Sequence, residues 1–239
     1  MKIKPFGDKA ILLQFEDRIH PDIHSLVIHF LQVLKNKNIA GVQYYVPAFA
    51  SITIGFDPQL WHFDDLAERI SRFWSKIYST PNVEKEGAML RIPVCFDDQY
   101  ALDRAELCAE IDMGWSDVID LFTSTTYTVY MIGFLPGFPY LGLLPPKLAC
   151  ARKGVPRKKV PAQSVGLAGR QAGIYPSNSP GGWQIIGSTP VKPFDPMRSE
   201  YFLFESGVKV TFQQISTSSY KDITRQLEDS PDGVEAFYV

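Results

Sequence analysis

An α+β fold is predicted for this chain of 239 residues: a small α/β unit, ferredoxin-like in its simplest form, followed by a closed or nearly closed β-barrel. Three observations carry the prediction. Helical and strand periodicities alternate over the first 80 or so residues. From Met89 onward, short β-branched and aromatic runs recur, broken by Gly and Pro. Between them, the polar stretch Thr80–Gly87 reads as a linker, placing the domains at 1–84 and 85–239.

In the first unit, Ala10–Phe15 (AILLQF) is an apolar strand preceded by the turn Phe6-Gly7-Asp8. Pro21 opens a helix that keeps Ile23, Leu26, Val27, Phe30, Leu31 and Leu34 at helical spacing and ends near Asn38–Gly41. Strands follow at Val42–Val46 and Ser51–Phe56, the second with Ile52, Ile54 and Phe56 on one face. A second helix, Phe63–Tyr78, begins with Asp64 and Asp65, whose charge complements the positive helix N-terminus.

The second unit starts with a strand at Met89–Phe96, then two short helices, Asp103–Ile111 with Asp103 as N-cap and Ser116–Ser124 with Ser116 as N-cap. Thr126–Phe134 carries the strongest strand signal. Further strands are expected at Ser164–Ala168, Gly173–Tyr175, Gln184–Gly187, Tyr201–Phe204 and Lys209–Gln213, with a last helix over Tyr220–Leu227.

A charge of −2 with 45% hydrophobic and 21% charged residues is that of an ordinary globular protein, with no global attraction to nucleic acid. Three irregularly spaced cysteines, Cys95, Cys108 and Cys150, fit a reducing compartment. No apolar stretch approaches signal-peptide or transmembrane length, so a cytoplasmic protein with no membrane partner is expected. His20 and His24 are spaced i,i+4 but lack a third ligand, so no metal is expected.

From Leu121 to Phe194 the chain holds no Asp, Glu or His, yet eight cations: Lys147, Arg152, Lys153, Arg157, Lys158, Lys159, Arg170 and Lys192. The segment suits an anionic ligand but cannot supply its own carboxylate or imidazole base. Ser164, Ser177 and Ser179 therefore have no local histidine to activate them. Asp195, just past the segment, is the weak in-chain candidate for acid–base work; as an Asp before Pro196 it also suits a turn. Gly133 and Gly137 bracket a tight turn that displays Phe138, and Phe138–Pro139 is a candidate cis bond. Phe138, Tyr140, Tyr175 and Trp183 have aromatic bodies able to wall a pocket; Ser164 and Gln171 add polar handles. Arg157-Lys158-Lys159 has the composition of a solvated loop. No GxxxxGK[ST] occurs, so the chain lacks a P-loop.

The strings Gly133-Phe-Leu-Pro-Gly-Phe-Pro-Tyr-Leu-Gly142, Val160-Pro-Ala-Gln-Ser164 with Arg157, Gln171-Ala-Gly-Ile-Tyr-Pro176 and Ser179-Pro-Gly-Gly-Trp-Gln184 make the sequence recognisable. It resembles the family of the B-type 5-oxoprolinase subunit (PxpB), also known as allophanate hydrolase subunit 1 or the KipI-type sporulation kinase inhibitor. The resemblance covers essentially the whole chain. It implies that the barrel is cyclophilin-like, and that the protein works with a larger, related C-type barrel protein and a third subunit. That assembly opens 5-oxoproline, a small anionic lactam, to glutamate while hydrolysing ATP, with the nucleotide used at the level of the complex. Two alternatives come with the same resemblance: an inhibitor of a histidine kinase, and part of a biotin-dependent urea carboxylase system.

The chain departs from the family pattern, which usually has Gly at Gln163, Thr at Ala172 and Arg at Ser188. Ser188 cannot reproduce a bidentate arginine clamp. Arg157 and Arg170 are then the expected anion contacts, and Phe138, Tyr140, Ser164, Gln171, Tyr175 and Trp183 the expected remainder of the site.

Overall fold

A computed structural model describes residues 1–77 and 89–239. The chain divides into two compact units, Met1–Glu86 and Gly87–Val239. The expected linker lies outside the described residues, as does the last residue of the expected second helix.

The first unit is a four-stranded antiparallel sheet with two helices. Its strands are β1 (Lys2–Pro5), β2 (Ala10–Gln14), β3 (Val42–Pro47) and β4 (Ser51–Phe56), in the order β1-β2-β4-β3. Helix α1 (Pro21–Asn36) starts where the sequence requires. Pro21 sits in its first turn, and the His20 side chain accepts the Asp22 N–H. Its apolar stripe buries Val27, Phe30, Leu31 and Leu34 against Ile52 and Ile54 of β4 and Leu66 and Ile70 of α2 (Phe63–Trp74). β1 was not expected: the edge position beside β2 is filled by the N-terminal residues, pairing Lys2–Pro5 with Gln14–Ile11. Only Ile3 of this short edge strand is partly buried, so it lacks the apolar run that marks a strand in sequence.

The second unit is a seven-stranded sheet rolled into a nearly closed barrel. Its strands are β5 (Met89–Val94), β6 (Tyr127–Ile132), β7 (Pro139–Gly142), β9 (Ser164–Ala168), β10 (Gln171–Ile174), β12 (Gln184–Ser188) and β13 (Lys209–Gln214). The order is β12-β9-β10-β7-β6-β13-β5. Cys95 and Ser188 then join the two ends, exchanging backbone hydrogen bonds of 2.8 and 3.0 Å. All seven strands send side chains into one core, including Ile92, Val129, Leu141, Leu167, Ile174, Ile186 and Phe212. Helices α3 (Arg104–Ile111) and α4 (Trp115–Thr123) add Leu107, Val118 and Phe122, the last stacked on Phe212 at 4.6 Å. A separate ribbon pairs β8 (Arg157–Val160) with β11 (Ser179–Gly181). Helix α5 (Thr217–Asp229) follows β13.

Several local expectations change. Arg157–Val160 is a strand rather than a solvated loop, because it has β11 to pair with. Tyr201–Phe204 forms no strand; Phe202 makes one isolated bridge to Phe194, where the Asp195 N–H donates to Tyr201 and the Leu203 N–H to Pro193, and the pairing goes no further. The α4 N-cap is Gly114, not Ser116. Phe138–Pro139 is trans, with Pro139 opening β7 opposite Ile132; the cis bond among the described residues is Gly142–Leu143.

Candidate functional site

Strands β7, β9, β10 and β12 have two apolar faces. Leu141, Val165, Leu167, Ala172, Ile174 and Ile186 point into the barrel core. Strand alternation sends their neighbours Tyr140, Ala168 and Ile185 to the other side. There they join Phe138, Val160, Tyr175 and Trp183 in a second, aromatic cluster.

Phe138 is the hub of this cluster. Its ring meets Tyr140 at 4.9 Å, Tyr175 at 5.2 Å and Trp183 at 5.5 Å, mostly edge to face. Glycine lets the rings approach the backbone this closely. A Cβ at Gly173 would lie 2.6 Å from the Phe138 ring, and one at Gly181 would lie 2.4 Å from the Tyr175 hydroxyl. The glycine richness read in the sequence is here a requirement of packing.

Above the cluster opens a cleft of about 250 Å³. It is lined by Phe134, Phe138, Tyr140 and Arg152 on one part, and by Pro156, Tyr175, Pro180, Gly181, Gly182 and Trp183 on the other. The loop that carries Arg152 is pinned by the Lys153 N–H, which donates to the Gly182 carbonyl at 2.8 Å. Burial pushes the Tyr175 phenol up to about 12, despite a hydrogen bond from the Trp183 backbone and the nearby charge of Arg152. Burial likewise raises Tyr140, with Arg152 pulling the other way. Both phenols are neutral donors across the ordinary pH range. No carboxylate or imidazole is among the lining residues.

Of the residues expected at the site, Phe138, Tyr140, Tyr175 and Trp183 converge on this cleft. Arg157 does not. Its guanidinium grips both oxygens of buried Asp103, at 2.7 and 2.5 Å. The same carboxylate accepts Lys153 Nζ at 2.9 Å and the Ile185 N–H at 2.7 Å. Burial opposes ionisation of Asp103, but these hydrogen bonds outweigh it and hold the carboxyl below its ordinary range. Asp103 stands at the N-cap position of α3, as expected, yet its side chain makes no cap bond because these partners take it. Lys153 also pairs with Glu106, and the Ala151 N–H donates to Glu110. The acids of α3 and its N-cap thus neutralise two of the eight cations, Lys153 and Arg157, in pairings across more than 40 residues that local reading could not supply.

Arg170 is exposed in the β9–β10 turn, with Nε and Nη2 donating to the Leu144 carbonyl at 3.3 and 3.2 Å. It and Gln171 lie at the opposite end of β10 from Tyr175, about 16 and 13 Å away along an extended strand. Ser164 is buried at the head of β9 opposite Ser188, contributing its carbonyl to the Tyr175 N–H. Asp195 also lies outside the cleft. It accepts Lys192 Nζ at 2.9 Å and the Met197 N–H at 3.0 Å, closing a turn beside a small chamber of about 50 Å³ under α5.

Two cleft residues are not foreseen by the sequence. Arg152 is the lining cation and makes no ion pair among the described residues, whereas Arg157 is fully engaged. Phe134, not Phe138, is the residue displayed by the Gly133–Gly137 turn: Phe134 is 60% exposed and Phe138 is 1% exposed. The signal was the two aromatics within one glycine turn; which faces outward depends on the backbone.

Known proteins resemble this chain in sequence and in fold. The family model of the carboxyltransferase domain, subdomain C and D, matches residues 1–204. The chain is 33% identical to the B-type 5-oxoprolinase subunit of Bacillus subtilis (strain 168), over 92% of this chain and 95% of that one. It is 35% identical to the B-type 5-oxoprolinase subunit of Escherichia coli O157:H7, over 86% and 92% respectively. The crystal structure of TTHA0988 superposes with a TM-score of 0.76 at 29% identity, over 87% of this chain but 40% of that longer chain. With a relative matched over nearly its whole length, an aromatic cleft built from the GFLPGFPYLG and SPGGWQ strings, and a nearly closed barrel beneath it, this chain belongs to the family of the B-type 5-oxoprolinase subunit.

Proposed function

We propose that this chain is a component of an ATP-dependent 5-oxoprolinase and that its aromatic cleft receives 5-oxo-L-proline. The observation that carries the reading is the combination of five aromatic side chains with one cation, Arg152, that has no ion pair among the described residues, in a cleft sized for a small ring. The faces of Tyr140 and Trp183 suit the lactam ring, and Arg152 suits its carboxylate. Opening the lactam adds water across its C–N bond: the carbonyl carbon gains oxygen and the ring nitrogen leaves as an amine. That step needs proton transfer, and the cleft offers no carboxylate or imidazole. A larger, related barrel protein and a third protein therefore supply the acid–base groups.

ATP does not fit this chain's own cleft. A single lining cation cannot balance a triphosphate, and the sequence has no P-loop. The nucleotide belongs to the complex. The pure chain should accordingly show no ATPase activity.

The test is ATP-dependent glutamate release from 5-oxo-L-proline by the tagged protein recovered from its native host with its partners. Release requiring both ATP and the co-purified proteins supports the proposal. Absence of release with a histidine kinase in the eluate would instead identify a regulator. A biotinylated partner, in keeping with the carboxyltransferase family model, would identify carboxyl transfer.

A further inference from the structure

Phe134 combines two features that ordinary packing does not reward. Its φ is 67°, in the left-handed region that bulky side chains avoid. Its ring is 60% exposed, so little burial offsets that conformation. The turn that imposes it is tightly closed: the Gly133 N–H donates to the Phe138 carbonyl at 3.1 Å, the Leu135 N–H to Gly133 at 2.9 Å, and the Phe138 N–H to Leu135 at 3.0 Å. Gly137, at φ 84°, completes it against Phe194. Glycine would meet the backbone requirement at 134 without strain.

The conformation sets the Phe134 ring at the cleft mouth. It stands perpendicular to Phe138 with centroids 5.6 Å apart, among the same lining residues as Trp183, Tyr140 and Arg152. A strained, exposed aromatic at the lip of an aromatic cleft is in place for a ligand rather than for the fold.

We infer that Phe134 is a ligand-contacting residue that closes over the face of a small ring held in the cleft, and so selects cyclic over open-chain amides. This rests on the proposed reading of the cleft. A five-membered lactam presents a flat face to the Phe134 ring while its carboxylate reaches Arg152. An open-chain N-acyl amino acid carries the same amide and carboxylate but no flat ring, and gains less from the contact.

The experiment uses the full chain and two probes, 5-oxo-L-proline and N-acetyl-L-alanine, with affinities read by calorimetry for the wild type, Phe134→Ala, Phe134→Gly and Phe134→Tyr. The wild type should prefer the ring. Both truncations should weaken 5-oxo-L-proline binding about three- to ten-fold, the effect of losing one aromatic contact, and leave N-acetyl-L-alanine nearly unchanged. Phe134→Tyr should retain the preference. Phe134→Gly should also melt about 2–4 °C above Phe134→Ala, because only Gly relieves the left-handed backbone. That melting order shows the Gly variant to be folded where its binding is read. Equal loss for both probes, or no loss, with a ring-preferring wild type would overturn the role of Phe134 while leaving the cleft reading intact. A wild type that binds neither probe overturns both.

Discussion

Asp103 at the head of α3 holds Arg157 of β8 by both carboxylate oxygens, joining positions 54 residues apart. The carboxylate is 1% exposed and also carries Lys153 and the Ile185 N–H, so it fastens the β8–β11 ribbon and β12 to the helix. The cation that looks most like an anion clamp in the sequence is therefore structural.

Asp103→Asn should cost about 1–3 kcal/mol, since it breaks the bidentate pair of a buried carboxylate while the two partner cations keep partial access to water. The sign with pH follows from the lowered Asp103 pKa. Its stabilisation is present above the unfolded value of about 3.9 and is lost as pH falls through the lower folded value. Urea titrations from pH 7 to pH 2.5 should show the wild type losing stability below about pH 4 and Asp103→Asn losing less. Parallel curves would reject the assignment.

The two arginines should separate cleanly. Arg152→Ala should raise the apparent KM of the assembled complex for 5-oxo-L-proline about ten-fold or more, the loss of one charge-assisted contact, with an unchanged melting temperature. Arg157→Ala should lower the melting temperature by several degrees, leaving KM little altered in the fraction that folds. The reverse pattern would return the anion contact to Arg157.

Gly181→Ala places a methyl 2.4 Å from the Tyr175 hydroxyl and must displace the ring or the ribbon. A destabilisation of about 1–3 kcal/mol is expected, with a changed aromatic circular dichroism signal from the cluster. Wild-type stability would mean that the ring does not rest on this backbone.

Gln163 has φ 67°, and its backbone N–H and carbonyl bind Tyr175 and Thr189. Gln163→Gly keeps both bonds and relieves the left-handed conformation, so it should stabilise by about 0.5–1 kcal/mol in denaturant titrations. A loss of stability would show that the side chain contributes more than the backbone strain costs. The same angle gives a physical reason why glycine would suit this position.

Most of the barrel and both helices of the first unit are legible in the sequence, because periodic burial writes itself into consecutive residues. Ile52-Thr-Ile-Gly-Phe56 and the stripe of α1 leave no other way to bury their apolar side chains. Short elements are not legible. β7, β8 and β11 have three or four residues each, rich in Gly, Pro or Lys, and exist because a partner strand lies beside them. The same division holds at the cleft. Phe138, Tyr140, Tyr175 and Trp183 follow from composition, since so much aromatic surface within a glycine-rich segment must pack together. The choice between Arg152 and Arg157 does not, because it depends on where α3 delivers Asp103, Glu106 and Glu110. Hydrophobic periodicity is a local property of the chain, whereas the pairing of a charge is set by whatever distant group the fold brings within 3 Å of it. Strands and aromatic walls could therefore be read from residue order, and the cation left to face the cleft only from the folded molecule.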